Sequence, residues 1–358
     1  MWKIFTCYGN GLWELLCRVS CAIPGIEEVG KLLKNGRVSI KESVSALREK
    51  TRYLLATNID LGLYHFYRGN ISDAKTRFWL IRLVRPGLPD VHYNIGRCYW
   101  VLKRDDKAIE NFEKALAIDS AHKEARYYLD KIQAPGTITE VPENIIRQHY
   151  NYTSEYFVEH WLIEKNYRGH EYVRSLVMNF FGDRLADITI LDLGCGTGAC
   201  GQFLRMRDIG SYITGVDISR RMLDIARQCF VHGKRAYNEL VCVSMSKFLE
   251  ENARKYDVIV MTEVLLYFGS LEEILSSASK ALSPTGMIIG LVRNKEGEGE
   301  YEFVKEGDFF CHTAAYIPRI VEKLGLHLNY ITRCEIYMDK VVGLLFAISK
   351  SETKEAAG

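Results

Sequence analysis

From Ile188 onward the chain alternates short apolar runs with stretches of mixed apolar and charged residues. The runs at 188–193 (ITILDL), 211–219 (SYITGVDIS), 239–244 (ELVCVS), 256–268 (YDVIVMTEVLLYF) and 287–294 (MIIGLVRN) have the length and branched content of buried strands. Between them, 200–208 (CGQFLRMRD), 219–230 (SRRMLDIARQCF) and 271–286 (LEEILSSASKALSPTG) carry helical spacing, with Ser219 as an N-cap and LSPTG as a terminating turn. A helix over 312–325 and strands over 327–338 and 341–350 complete the order. Strands that alternate with helices of this length predict an α/β domain with a doubly wound, Rossmann-like parallel sheet. Ligands of such sheets bind beyond the carboxyl ends of the strands.

The first third has a different period. Aligning Leu55 with Pro89 brings Gly62 onto Gly96, Ala74 onto Ala108 and Phe78 onto Phe112, a spacing of 34 residues. Pro86 then falls on Ser120, and Gly69, at the turn between two helices, on Lys103. The small residues let paired helices cross closely and the aromatic fills the gap between them. This pattern over 55–122 resembles the tetratricopeptide repeat. The segment 122–133 reads as a capping helix with a polar outer end, because stacked repeats need one. Residues 23–54 read as a possible degenerate earlier unit, and 12–25 as an amphipathic helix interrupted by Glu14 and Arg18. That stretch is too short to span a bilayer. APGTITEVP (134–142) holds two of the seven prolines and marks the domain boundary. The expected organisation is thus 1–54 N-terminal helices, 55–133 repeats with their cap, 134–187 linker and lid helices, 188–350 the α/β domain, and 351–358 a frayed polar tail.

Composition adds exclusions. A formal net charge of +2 and no clustered basic stretch give no argument for nucleic acid. The ten cysteines are scattered singly, with no C-x-x-C and no zinc spacing, as expected of free thiols in a cytoplasmic protein. No metal is expected.

The chemistry concentrates in ILDLGCGTGACG (190–201). Gly194, Gly196 and Ala199 satisfy the dinucleotide fingerprint, so a nicotinamide oxidoreductase is one reading. Asp192 at the strand end works against it, since a carboxylate there repels a diphosphate. The same carboxylate favours S-adenosylmethionine, which brings an ammonium and a sulfonium. Asp217, at the end of the next strand, suits the ribose hydroxyls of either cofactor.

LDLGCGTG (191–198), Asp217, YDVIV (256–260), LSPTG (282–286) and the two closing strands together resemble the class I S-adenosylmethionine-dependent methyltransferases, over roughly 143–350. With the repeats in front, the chain resembles bacterial predicted methyltransferases with N-terminal tetratricopeptide repeats. The resemblance implies a C-terminal antiparallel hairpin and a helical lid over 145–168, pointing to Tyr150, Tyr152 or Tyr156 above the cofactor. It implies that the backbone of Gly194 and Gly196, with Cys195 between them, approaches the methionine moiety, and that Asp192 orients its amino group. Gly198 then turns the chain into the helix, Asp217 with Ile218 takes the ribose, and Ser244 and Met245 flank the adenine where relatives often carry an acid.

At the reacting end it implies Glu263, Tyr267 and His312. Glu263-Val-Leu-Leu-Tyr267 stands for a more usual Asp-Val-Leu-x-Tyr, with helix initiation as the plain alternative for Glu263. GDFFCHTAAY (307–316) has Phe309 where relatives carry arginine. The expected function is methyl transfer to a small-molecule or protein acceptor, with the repeats binding a protein partner or the substrate. An inactive methyltransferase-fold adaptor is the alternative, motivated by Ser244 and Phe309.

Overall fold

A β-carbon added at Gly62 would sit 2.7 Å from Cε1 of Phe78, and one at Gly96 would sit 2.6 Å from the same atom of Phe112. The two repeat units therefore lock by the same contact, one aromatic ring laid on a bare backbone. The structure is a computed structural model describing residues 40–350. Its repeat region comprises α1 (Ile40–Tyr67), α2 (Ile71–Val84), α3 (Pro89–Val101), α4 (Asp105–Ile118) and α5 (Lys123–Gln133). Ala74, Ala108, Phe78 and Phe112 are all buried, as the period requires. Gly69 and Lys103 occupy matching turns with φ of 79° and 57°. The α1 helix runs without a break through 54–55, the first boundary the sequence suggests. The expected helix at 12–25, residues 23–39 of the candidate earlier unit (23–54) and the tail 351–358 lie outside the described residues.

After the linker come α6 (Glu143–Phe157), a π-helical segment (Val158–Glu164) and α7 (Gly169–Phe181). The sheet follows as β1 (Thr189–Leu193), α8 (Ala199–Arg205), β2 (Tyr212–Asp217), α9 (Arg220–Ala226), β3 (Phe230–Val231), β4 (Lys234–Arg235), β5 (Glu239–Cys242), α10 (Met245–Glu251) and β6 (Tyr256–Thr262). It ends with α11 (Glu272–Ala281), β7 (Leu282–Lys295), β8 (Tyr301–Val304), β9 (Phe309–Thr313), α12 (Tyr316–Lys323), β10 (His327–Glu335) and β11 (Val342–Ser349). Strand order is β10-β11-β7-β6-β1-β2-β5. The β5, β2, β1, β6 and β7 strands are parallel, while β11 runs antiparallel to both β7 and β10, which is the expected closing hairpin.

Period-two alternation sends neighbours to opposite cores. Ile190, Val258, Val260 and Ile289 pack with α7 and α8 on one face. Leu191, Ile259, Met261 and Ile288 pack with α11 and α12 on the other.

Four expectations need correction. LSPTG does not close a helix, because β7 already begins at Leu282. The helix expected over 312–325 begins only at Tyr316, and His312 and Thr313 belong to β9. The polar cap is also not free: Tyr127, Tyr128, Leu129 and Lys131 of α5 are buried, and Tyr127 and Lys131 both bond Asp308 in the β8–β9 turn. The linker, finally, is more than a boundary. Val141 donates its N–H to the Tyr267 carbonyl at 2.9 Å, and Gly269 donates to the Thr139 carbonyl at 2.8 Å. It forms a short antiparallel bridge with the loop after β6.

Candidate active site

At the carboxyl end of β1 the chain turns through Gly194 and Gly196 with φ of 76° and 54°, a region glycine enters without steric cost. A side chain at Gly194 would also meet Val264 at 2.8 Å, whereas one at Gly196 would meet nothing within 4 Å. Gly196 therefore presents bare backbone to the cavity that opens here. Gly198 is the N-cap of α8.

Two carboxylates stand beside this loop. Asp217 accepts hydrogen bonds from the N–H groups of Gly196 at 2.9 Å and Ser219 at 2.7 Å. Burial pushes its pKa up to about 6, against the pull of those two donors. Asp192 is 2% exposed and accepts from the Tyr237 hydroxyl at 2.6 Å. Burial carries it to about 7, opposed by Tyr237 and helped by the Asp217 charge. Among the described residues neither carboxylate has a cationic partner. A ligand ammonium would supply one at Asp192, where a diphosphate would instead add negative charge beside a buried acid, while Asp217 suits ribose hydroxyls in either case. The two carboxylates fit S-adenosylmethionine, and Asp192 counts against a diphosphate at the loop.

The cavity has a volume of about 400 Å³ and continues past the loop to the end of β6. Glu263 lies there with φ of 54°, so it does not start a helix. A non-glycine residue pays roughly 1 kcal/mol for that conformation. Its Oε2 accepts from Arg293 Nη2 at 3.1 Å and from the Tyr337 hydroxyl at 2.7 Å. The Tyr267 and Tyr150 hydroxyls share a hydrogen bond of 2.6 Å, closing the cavity between the loop after β6 and α6. Of the three lid tyrosines only Tyr150 lines the cavity. Tyr152 bonds Asp60 of the repeats, and the Tyr156 ring lies under the Arg68 guanidinium.

Cys195, Ile218, Ser244 and Met245 line the cavity. Ser244 is the N-cap of α10, its hydroxyl oxygen accepting from the Lys247 N–H. The Cys195 thiol is raised well above its ordinary value by burial, so it is no nucleophile.

His312 is not brought to the cavity. It is fully buried, its Nε2 within 2.9 Å of the Gly269 carbonyl and its ring stacked on Tyr316 at 5.7 Å. Burial lowers its pKa to about 4, so it stays neutral at physiological pH and braces the loop that carries Tyr267. Its place in β9 instead of at a helix start is the reason.

Sequence reasoning passed over Arg293, Tyr337, Phe157 and Trp161, all of which line the cavity. Arg293 stacks over the Phe309 ring at 4.1 Å. The arginine missing at position 309 is thus matched by one from the neighbouring strand, since Arg293 pairs with Cys311 where β7 meets β9.

Comparison with known proteins shows the family. A family described as methyltransferase domain matches residues 145–328, more than half of the chain. The chain belongs to the methyltransferase-domain family. A tetratricopeptide repeat matches residues 89–122, the second of the two units read from the sequence.

Over 189 residues the methyltransferase chain is 26% identical to malonyl-[acyl-carrier protein] O-methyltransferase of Priestia megaterium, covering 53% of this chain and 61% of that one. Over 113 residues it is 27% identical to ubiquinone biosynthesis O-methyltransferase of Idiomarina loihiensis, covering 32% and 45%. The chain thus spans less than two thirds of the length of these two relatives. Among solved structures it is similar to a magnesium protoporphyrin IX methyltransferase from Synechocystis with bound S-adenosylmethionine. The identity there is 15% and the TM-score 0.46, over 60% of this chain and 100% of the other.

Proposed function

We propose that this chain is an S-adenosylmethionine-dependent methyltransferase acting on an oxygen acceptor bound beside Glu263 and Arg293. One observation carries the reading. The glycine loop, with two carboxylates that have no cationic partner among the described residues, and the Glu263–Arg293–Tyr337 cluster line one cavity. S-adenosylmethionine supplies an already activated methyl group, so the demand on the protein is position. Asp192 takes the ammonium of the cofactor, Gly194, Cys195 and Gly196 lie along its amino-acid part, and Asp217 takes the ribose hydroxyls. Ile218 and Met245 pack at the adenine, beside the Ser244 cap. Glu263, aligned by Arg293 and Tyr337, orients the acceptor, and Tyr267 with Tyr150 excludes water from it.

The oxygen acceptor is supported by the relatives above, both named as O-methyltransferases. The seven described cysteines are free, which supports a reducing, cytoplasmic setting. No helix among the described residues is long and apolar enough to cross a membrane. The adaptor alternative has no observation behind it. Ser244 caps a helix that lines the cavity, and Phe309 carries a stacked arginine.

Calorimetry of the full chain tests the cofactor assignment: S-adenosylhomocysteine binds and NADH does not, and the reverse result overturns the proposal. Methyl-labelled S-adenosylmethionine incubated with a small-molecule extract should then label an acceptor at oxygen. Glu263→Gln is expected to cut that transfer at least ~100-fold while S-adenosylhomocysteine affinity stays within a few-fold.

A further inference from the structure

Three consecutive residues of α6 face three different parts of the molecule. Tyr150 lines the cavity and bonds Tyr267. Asn151 holds the start of α9, its side-chain oxygen accepting from the Ser219 hydroxyl at 2.8 Å and its carbonyl from Arg221 at 3.1 Å. Tyr152 donates to Asp60 of α1 at 2.7 Å and stacks on Tyr67 with centroids 5.5 Å apart and planes within 6°. The helix thus covers the cofactor cavity with one face and fills the repeat surface formed by α1 and α3 with the other.

Arg97 of α3 is the unusual member of that surface. The matching position of the first repeat unit, 34 residues earlier, is Leu63, so the repeat itself does not need an arginine there. Arg97 is 1% exposed, and no carboxylate pairs with it among the described residues. Burying such a charge is costly unless something compensates. Compensation comes from the Phe66, Tyr67 and Tyr93 rings at 4.2, 5.2 and 5.3 Å. Hydrogen bonds to the Tyr67 hydroxyl at 2.8 Å and to Gln148 of α6 at 3.2 Å add to it. The guanidinium therefore reaches through the repeat and ends on the lid helix.

We infer that Arg97, Tyr67 and Asp60 are positioning residues for the cofactor: they hold α6 closed over the cavity, so that the repeat array sets how fast the bound cofactor leaves. The inference rests on the function proposed above. It also replaces an external partner, on this surface, with a segment of the same chain. None of the three residues lines the cavity, so they act only through the helix.

Dissociation of S-adenosylhomocysteine from the full chain, followed by stopped-flow displacement, tests this with Arg97→Met and Tyr152→Phe. Arg97→Met keeps the length and removes the charge, and Tyr152→Phe removes only the bond to Asp60. Dissociation is expected to quicken about tenfold in the first and about threefold in the second, with the thermal midpoint of the ligand-free protein little changed. A general structural role would lower the midpoint and leave dissociation alone. Rates within twofold of the parent in both variants overturn the inference. Failure of the unaltered chain to bind S-adenosylhomocysteine overturns instead the functional reading on which it rests.

Discussion

Asp192 and Asp217 lie with pKa values pushed up to about 7 and about 6 by burial, which makes cofactor affinity a function of pH. The ammonium of the cofactor at Asp192 and its ribose hydroxyls at Asp217 both prefer ionised carboxylates, so S-adenosylhomocysteine affinity should climb from about pH 5 to about pH 8 and then level. Calorimetry in two buffers of different ionisation enthalpy should detect proton release on binding near neutrality, and Asp192→Asn should flatten the upper part of the profile. A pH-independent affinity would contradict the pairing of ammonium with Asp192. In the ligand-free protein the sign is opposite. Folding raises both pKa values, so the stability these two groups contribute is present at low pH and lost as pH rises through about 6 and 7.

Asp192, Asp217 and Glu263 were legible in the sequence because each acid ends an apolar run. Arg293 was not, because it sits inside the run MIIGLVRN, and only the pairing of β7 with β9 brings it to Phe309.

Among the elements, the matching turns of the two repeat units offer a controlled comparison. Lys103 has φ of 57° where the first unit has Gly69 at 79°. Lys103→Gly should raise stability by about 1 kcal/mol in urea denaturation, and Gly69→Ala should lower it by a similar amount. Gly96→Ala is expected to cost more, about 2 kcal/mol, because the new carbon meets the Phe112 ring at 2.6 Å. Combining it with Phe112→Leu should recover part of that loss.

The repeats and the parallel strands were readable since their signals are local, a fixed period and runs of branched residues. The β8–β9 hairpin was not. NKEGEGEYE has the charge of a solvated loop, and its last residues become a strand only by pairing with β9, where Tyr301 lies opposite His312. The local pattern around His312 predicts a helix for the same reason, and only its pairing across β8 and β9 makes it a strand residue.

At the level of the whole molecule, the repeat region and the sheet domain meet at side chains that neither needs alone. Lys131 is fully buried and pairs with Asp308, which the Tyr127 hydroxyl also contacts. Its pKa is lowered by burial and partly restored by Asp308. Asp308→Ala should leave an uncompensated buried charge and destabilise the chain by about 3 kcal/mol, whereas Lys131→Met should cost clearly less. Chemical denaturation of both variants checks the order, and equal losses would mean the pair contributes packing only. Gly307 and Phe309, on either side of Asp308, line the cavity. The repeat array therefore contacts the walls of the candidate site at the β8–β9 turn as well as at α6.

The amino-acid sequence by itself determined the elements whose causes are local. These are the helix pairs locked by glycine on phenylalanine, the alternation that builds a two-faced sheet, the glycine turn and the acids that end its strands. Only the tertiary structure decided which residues from distant segments meet. It seated Arg293 on Phe309, turned His312 inward, tied the linker to Tyr267 and filled the repeat surface with α6. The physical reason is that periodicity and turn chemistry act over a few residues. A buried charge or an open helix face instead takes its partner from whatever the packed chain brings beside it, and no nearest-neighbour pattern records that.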